Sequence, residues 1–224
     1  MRQLILDLLP ENPPRLDNFV PGGNAEAVAA LAAWAMPEQR EISLLLYGES
    51  GCGKTHLLRA SAAVYHDAAV TPGLEGVETR GESPPRIAVD NVEALSDAGQ
   101  IVLFNLFNRL RAAGGRLLTA AAAPPRRLPL REDLRTRLGS GLVYRLLSLS
   151  DEEKRRVLAA QAAARALALP PGALDYLLTR AARDMRHLMA VLAALDRYSL
   201  EYKRPVTLPL LREILQHSPP VTLP

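Results

Sequence analysis

The sequence predicts an α/β fold, a parallel sheet flanked by helices, joined to a small all-helical domain. Three observations carry this. Short apolar runs at 44–47, 86–90, 116–121 and 142–147 alternate with stretches of helical spacing, as strands joined by helical crossovers do. The first run leads into Gly48-Glu49-Ser50-Gly51-Cys52-Gly53-Lys54-Thr55, a G-x-x-x-x-G-K-T spacing set between a strand and a helix. From Ser150 onward the strand signals stop and only helical patterns follow. The expected organisation is a terminal peptide and linker over 1–13, a nucleotide-binding α/β domain over 14–149 and a helical domain over 150–224.

Composition narrows the class. At 224 residues, 48% apolar and 23% charged, the chain can bury a sizeable aliphatic core. A net charge of +3 is too slight to argue for nucleic-acid binding by itself. Cys52 is the single cysteine, which excludes an internal disulfide or a cysteine-built zinc cluster. No apolar run approaches membrane-spanning length and no signal-peptide pattern opens the chain, so a cytoplasmic protein is expected.

In chain order, residues 1–10 are apolar, and Pro10, Pro13 and Pro14 then interrupt regular structure. Such a peptide is either a strand docked on the domain or a protruding segment that binds a partner. Asn24 is the expected N-cap of an Ala-rich helix from Ala25 to Met36, ended by Pro37. The helix after the glycine-rich turn is expected from about Thr55 to Tyr65, with a short strand near Ala68–Val70 and an exposed loop up to Pro85. Residues 86–90 form a buried strand that delivers Asp90 at its carboxyl end. An amphipathic helix from Ser96 to Ala113 follows, capped by Gly114-Gly115. In the helical domain, Ser150-Asp151-Glu152-Glu153 is a capping box opening a helix towards Ala168. Further helices are expected from Pro170 to Ala182, from Asp184 to Glu201 and from Leu208 to Gln216.

The glycine-rich turn has the chemistry of a polyphosphate cradle. Its glycines let successive N–H groups converge on one anion, and the helix opening near Lys54 adds its positive end. Lys54 supplies a point charge for the β- and γ-phosphates, and the Thr55 hydroxyl and the Asp90 carboxylate suit Mg²⁺. These residues predict binding of a nucleoside di- or triphosphate. The residue after Asp90, where many ATPases carry a water-polarising carboxylate, is Asn91. Glu93 stands two positions on and reads better as a solvated surface group, so weak or absent hydrolysis is expected.

Residues 51–60, from Gly51 through His56 to Ala60, resemble the phosphate loop of the DnaA/Hda family within the AAA+ class. Residues 17–24, with Phe19 and Val20, resemble that family's wall of the adenine site. Leu134-Arg135-Thr136-Arg137-Leu138 is similar to its arginine-finger motif, and Asp184-Met185-Arg186-His187-Leu188 to the segment bearing the second sensor arginine. The resemblance runs in the family's order from Leu16 to Gln216. It implies an AAA+ module with a helical lid, a bound ADP or ATP with Mg²⁺, a phosphate contact from Arg186 and a finger, Arg137, acting on a neighbour's nucleotide.

Departures from the family pattern are expected to matter. The first sensor position falls within Ala120–Ala123, and the sequence given ends shortly after the lid, without the helix-turn-helix reader of the initiator DnaA. Gln3-Leu4-Ile5-Leu6-Asp7-Leu8 is similar to the peptides by which bacterial proteins dock on the sliding clamp, with Gln3, Leu4, Leu6 and Leu8 as the binding residues. The resemblance therefore implies a regulator that docks on the DNA polymerase III β clamp, reaches DNA through it, and stimulates hydrolysis of DnaA-bound ATP. A homodimer, a free-standing ATP-driven remodeller and a DNA-binding accessory initiator are the other readings the sequence admits.

Overall fold

The strand β1 (Ser43–Tyr47) runs in the interior of a five-stranded parallel sheet ordered β2-β3-β4-β1-β5. The sheet's other strands are β2 (Val64–Asp67), β3 (Arg86–Asp90), β4 (Arg116–Ala121) and β5 (Leu142–Arg145), and β1 pairs with β4 on one side and β5 on the other. The computed structural model describes residues 13–36, 40–62, 64–77, 85–180 and 185–217. They fall into two units, one over 13–148 and one that begins at Leu149.

In the first unit the inner strands β1, β3 and β4 are largely buried on both faces because both faces are covered. Leu45, Ile87, Val89 and Leu117 pack with α3 (Asp97–Ala112) and α4 (Glu132–Gly139). Leu44, Leu46, Ala88, Leu118 and Ala120 face the other way, onto α1 (Ala25–Trp34) and α2 (Lys54–Ser61). The alternation follows from the two-residue period of a strand. Arg116, almost fully buried, donates to the carbonyls of Trp34 and Met36 at 2.6 and 2.7 Å, so β4 caps the carboxyl end of α1 with a cation.

Several local expectations are corrected. Asn24 makes no side-chain cap for α1. It is buried, donates to the Leu147 carbonyl at 2.8 Å and accepts the Leu147 N–H at 2.7 Å. These two bonds tie the segment before α1 to the chain leaving β5. Asn24→Ala would remove both hydrogen bonds to the part-buried backbone of Leu147, an expected loss of about 1 kcal/mol by denaturant titration. An unchanged midpoint would show that the tie contributes nothing.

The short strand expected near Ala68–Val70 lies earlier, at Val64–Asp67, and Ala68–Val70 is a turn. The helix before it ends at Ser61. β-branched and aromatic Val64 and Tyr65 pair alongside Ile87 and Ala88, which decides the register over any continued helical spacing. The connection after β2 is not simply exposed either, since Ala68, Leu74 and Val77 join the core under α3. In α3, Ser96 caps the first turn by accepting from Gly99, and Gly114 (φ +67°) ends the helix.

The second unit holds α5 (Asp151–Ala164), α6 (Ala173–Arg180), α7 (Met185–Tyr202) and α8 (Leu208–His217). Ser150 and Glu153 form the expected reciprocal capping box, and hydrogen bonds from Ser150 hold the Glu153 carboxyl below its ordinary range. Leu158, Leu177, Leu188, Leu192, Leu195 and Leu211 build the core of this unit. No described helix is long and apolar enough to cross a membrane.

Candidate nucleotide site and the arginines of α4

β1 ends at Tyr47, and the chain turns through Gly48–Gly53 into α2. Two glycines here are required by space. A Cβ at Gly48 would collide with the Leu146 carbonyl, and one at Gly53 (φ +98°) would come within 2.5 Å of the Phe19 ring. Gly51 is also left-handed, while Ser50 is exposed and Cys52 is buried among the residues covering this face of the sheet. Lys54 Nζ donates to the carbonyls of Gly48 and Glu49 at 2.7 and 2.9 Å, so the lysine sits inside the curl of the loop.

The segment before α1 lies across the start of α2. His56 Nε2 is 2.9 Å from the Arg15 carbonyl oxygen, and its ring is 5.5 Å from that of Phe19. Phe19 and the adjoining Val20 are half-buried there. An apolar ring thus stands beside the loop, on the side where the sequence resemblance puts the base.

Asp90 is fully buried at the carboxyl end of β3. Its Oδ2 accepts from the Thr55 hydroxyl at 2.6 Å and from the Tyr65 hydroxyl at 3.0 Å, and its Oδ1 accepts the Asn91 N–H at 2.9 Å. Burial and the Asp90 charge push the Tyr65 phenol well above its ordinary range, and Arg59 stacks 4.5 Å over that ring. The hydroxyl–carboxylate pair of Thr55 and Asp90, both oxygen donors beside a phosphate-binding turn, fits the hard-ligand preference of Mg²⁺.

Asn91 and Glu93 exchange the places expected of them. Asn91 adopts a left-handed conformation (φ +52°) and donates its amide to Asp67 Oδ1 at 2.8 Å, which turns it towards β2. Glu93 points the other way: its Oε1 accepts the Ala122 N–H at 3.0 Å, and its Oε2 is buried with no partner among the described residues. The reading of Glu93 as a solvated surface group is therefore corrected. The signal missed was the short 3₁₀ turn Val92–Ala94, which swings position 93 back over the sheet.

The two arginines of the Leu134–Leu138 motif diverge. Arg135 lines an open groove of about 1280 Å³ with Gly48, Glu49, Ala122 and three further arginines, Arg126, Arg127 and Arg145. Arg137 lies 5.8 Å over the Phe107 ring and lines a separate cavity of about 190 Å³ with Ile42, Ser43 and Gly141. Ile42 and Ser43 stand at the amino end of β1, and the loop leaves its carboxyl end. Arg186 lies in the first turn of α7, and its side chain is outside the described residues, as are Gln3, Leu4, Leu6 and Leu8.

Comparison with known proteins matches the two ends of this arrangement to one lineage. Residues 12–72 match the bacterial DnaA ATPase domain, and residues 151–215 match the lid domain of Hda. Over these two stretches the chain is similar to the DnaA/Hda lineage of AAA+ proteins. Its fold is similar to that of domain III of the Thermotoga maritima replication initiation protein DnaA, at TM-score 0.69 and 24% identity, over 92% of this chain and 98% of that one. It is also similar to AMPPCP-bound DnaA from Aquifex aeolicus, at TM-score 0.63 and 22% identity, over 88% and 71% of the two chains. A third similar structure is the Thermotoga maritima RuvB Holliday junction branch migration motor, at TM-score 0.65 and 18% identity, over 91% and 72%. In this chain the parallel sheet of the AAA+ fold and its glycine-rich loop carry the candidate site.

Proposed function

We propose that this protein is a clamp-tethered negative regulator that stimulates hydrolysis of DnaA-bound ATP in trans. The observation that carries the reading is the place of Arg137. β1 has five residues, so at about 3.3 Å per residue roughly 16 Å separates its two ends. A guanidinium beside Ile42 and Ser43 is thus remote from its own phosphate loop and available to a neighbour's nucleotide. The lid match to Hda supports the same assignment.

The chain's own site binds ADP or ATP through Gly48, Ser50, Gly51, Cys52, Gly53, Lys54, Thr55 and His56, with Phe19 and Val20 beside the base. The AMPPCP in a similar DnaA structure supports an adenine nucleotide. Thr55 and Asp90 would hold Mg²⁺. When bound, the ion neutralises phosphate charge, while the loop N–H groups and Lys54 orient the phosphates.

The direct test is DnaA ATP hydrolysis with and without this protein and DNA-loaded β clamp. Stimulation that needs both is expected; steady turnover by this protein alone would replace the reading with a free-standing motor. A second measurement addresses the tether. Replacing Leu6 and Leu8 by Ala should abolish clamp binding, read by surface plasmon resonance, and leave ADP affinity intact. Misfolding of that double variant would instead make the peptide a docked strand of the domain.

A further inference from the structure

We infer that Glu93 is the water-activating carboxylate of this chain's own nucleotide site, and that one slow turnover converts bound ATP to the resident ADP. The inference rests on the reading of Gly48–Thr55 as a nucleotide site and extends it to a residue that stands outside the usual place. Three observations converge on Glu93. The position directly after Asp90 is unusable, because Asn91 lacks a carboxylate and its side chain is turned away onto Asp67. Glu93 is tied to the opposite side, through the Ala122 N–H at 3.0 Å. The residue before Ala122 closes on the phosphate loop itself, since the Ala121 carbonyl accepts the Gly48 N–H at 3.2 Å. Glu93 thus bridges the ends of β3 and β4 one hydrogen bond from the start of the loop.

The unpartnered Oε2 adds the chemical argument. A buried carboxylate oxygen without a donor is costly, and an acceptor of that kind near the start of the loop suits the O–H of a water molecule. Oε1, held by Ala122, orients the group, while Oε2 is left to take the proton. In the step itself, water oxygen forms a bond to the γ-phosphorus and its proton passes to Glu93. The bond from that phosphorus to the β,γ-bridging oxygen breaks with its electron pair leaving on ADP, and inorganic phosphate is released. No Asp or Glu is needed at position 91.

The experiment loads the full chain with ATP and Mg²⁺ at a single equivalent and follows the bound nucleotide by chromatography, with ATP and ADP affinities measured by calorimetry. Wild type should convert its ATP to ADP and keep it. Glu93→Gln retains an oxygen for the Ala122 N–H, so it should fold and bind ATP as wild type does but convert it at least about 100-fold more slowly. It should therefore be recovered holding ATP. Adding Asn91→Asp to Glu93→Gln should not restore conversion, because position 91 faces Asp67. Equal conversion rates in wild type and Glu93→Gln, rescue by Asn91→Asp, or no conversion in an ATP-binding wild type would each overturn the assignment. Failure of the wild type to bind either nucleotide would overturn the nucleotide site and this inference together.

Discussion

Arg137→Ala should leave the protein folded and able to bind ADP and clamp, yet cut its stimulation of DnaA ATP hydrolysis by about 10³-fold or more. The size follows from where the charge is needed. A guanidinium aimed at a leaving γ-phosphate stabilises charge that exists only in the transition state, so its removal spares every ground-state property. Within its own chain Arg137 is half-buried over Phe107, a contact worth about 0.5–1 kcal/mol, too little to threaten folding. Arg135→Ala is the control, since Arg135 lines the groove beside Gly48 and Glu49 rather than the cavity beside Ile42. A finger predicts a large loss at 137 and a small one at 135. Equal, modest, steeply salt-dependent losses at both positions would mark a diffuse basic surface instead.

Lys54→Ala should abolish the thermal stabilisation that ADP confers on the wild type. A ligand that binds only the native state stabilises it by RT ln(1 + [L]/Kd), about 2.7 kcal/mol at a hundredfold excess over Kd. Without nucleotide the variant loses two hydrogen bonds, one part-buried to the Gly48 carbonyl and one exposed to the Glu49 carbonyl, and its melting temperature should move by less than the ADP-linked shift. The contrast between a small shift without ADP and a lost shift with it is the diagnostic. An ADP-induced rise in melting temperature equal to the wild type's would remove Lys54 from the phosphate site.

These expectations draw on two kinds of information that the chain stores differently. The phosphate loop, the glycine stop after α3 and the capping box at Ser150 are written within a few consecutive residues. Each is governed by contacts three to five positions apart, and so each could be read directly. The same holds for the two-faced burial of β1 and β4, because uninterrupted aliphatic runs belong to strands covered on both sides. The α/β class with an all-helical second part was therefore determined by the amino-acid sequence itself, and so was the residue set of the loop.

Tertiary structure decided what depends on strand order. Asn24 has a side chain suited to capping the helix that follows it, but the chain leaving β5 offers it an N–H and C=O pair, two hydrogen bonds that outcompete one helix N–H. Tyr65 was legible as the end of a helix until β3 supplied a strand edge and Asp90 an acceptor for its hydroxyl. Glu93 looks like any charged residue in a turn, and only the adjacency of β3 and β4 carries it to the Ala122 N–H. Arg135 and Arg137 are two residues apart on one helix, a spacing that puts their side chains on different sides, and the sheet then gives those sides different neighbours. Short-range propensity determined which elements form; the pairing of distant strands, paid for by burial spread over the whole sheet, determined which polar groups meet at their ends.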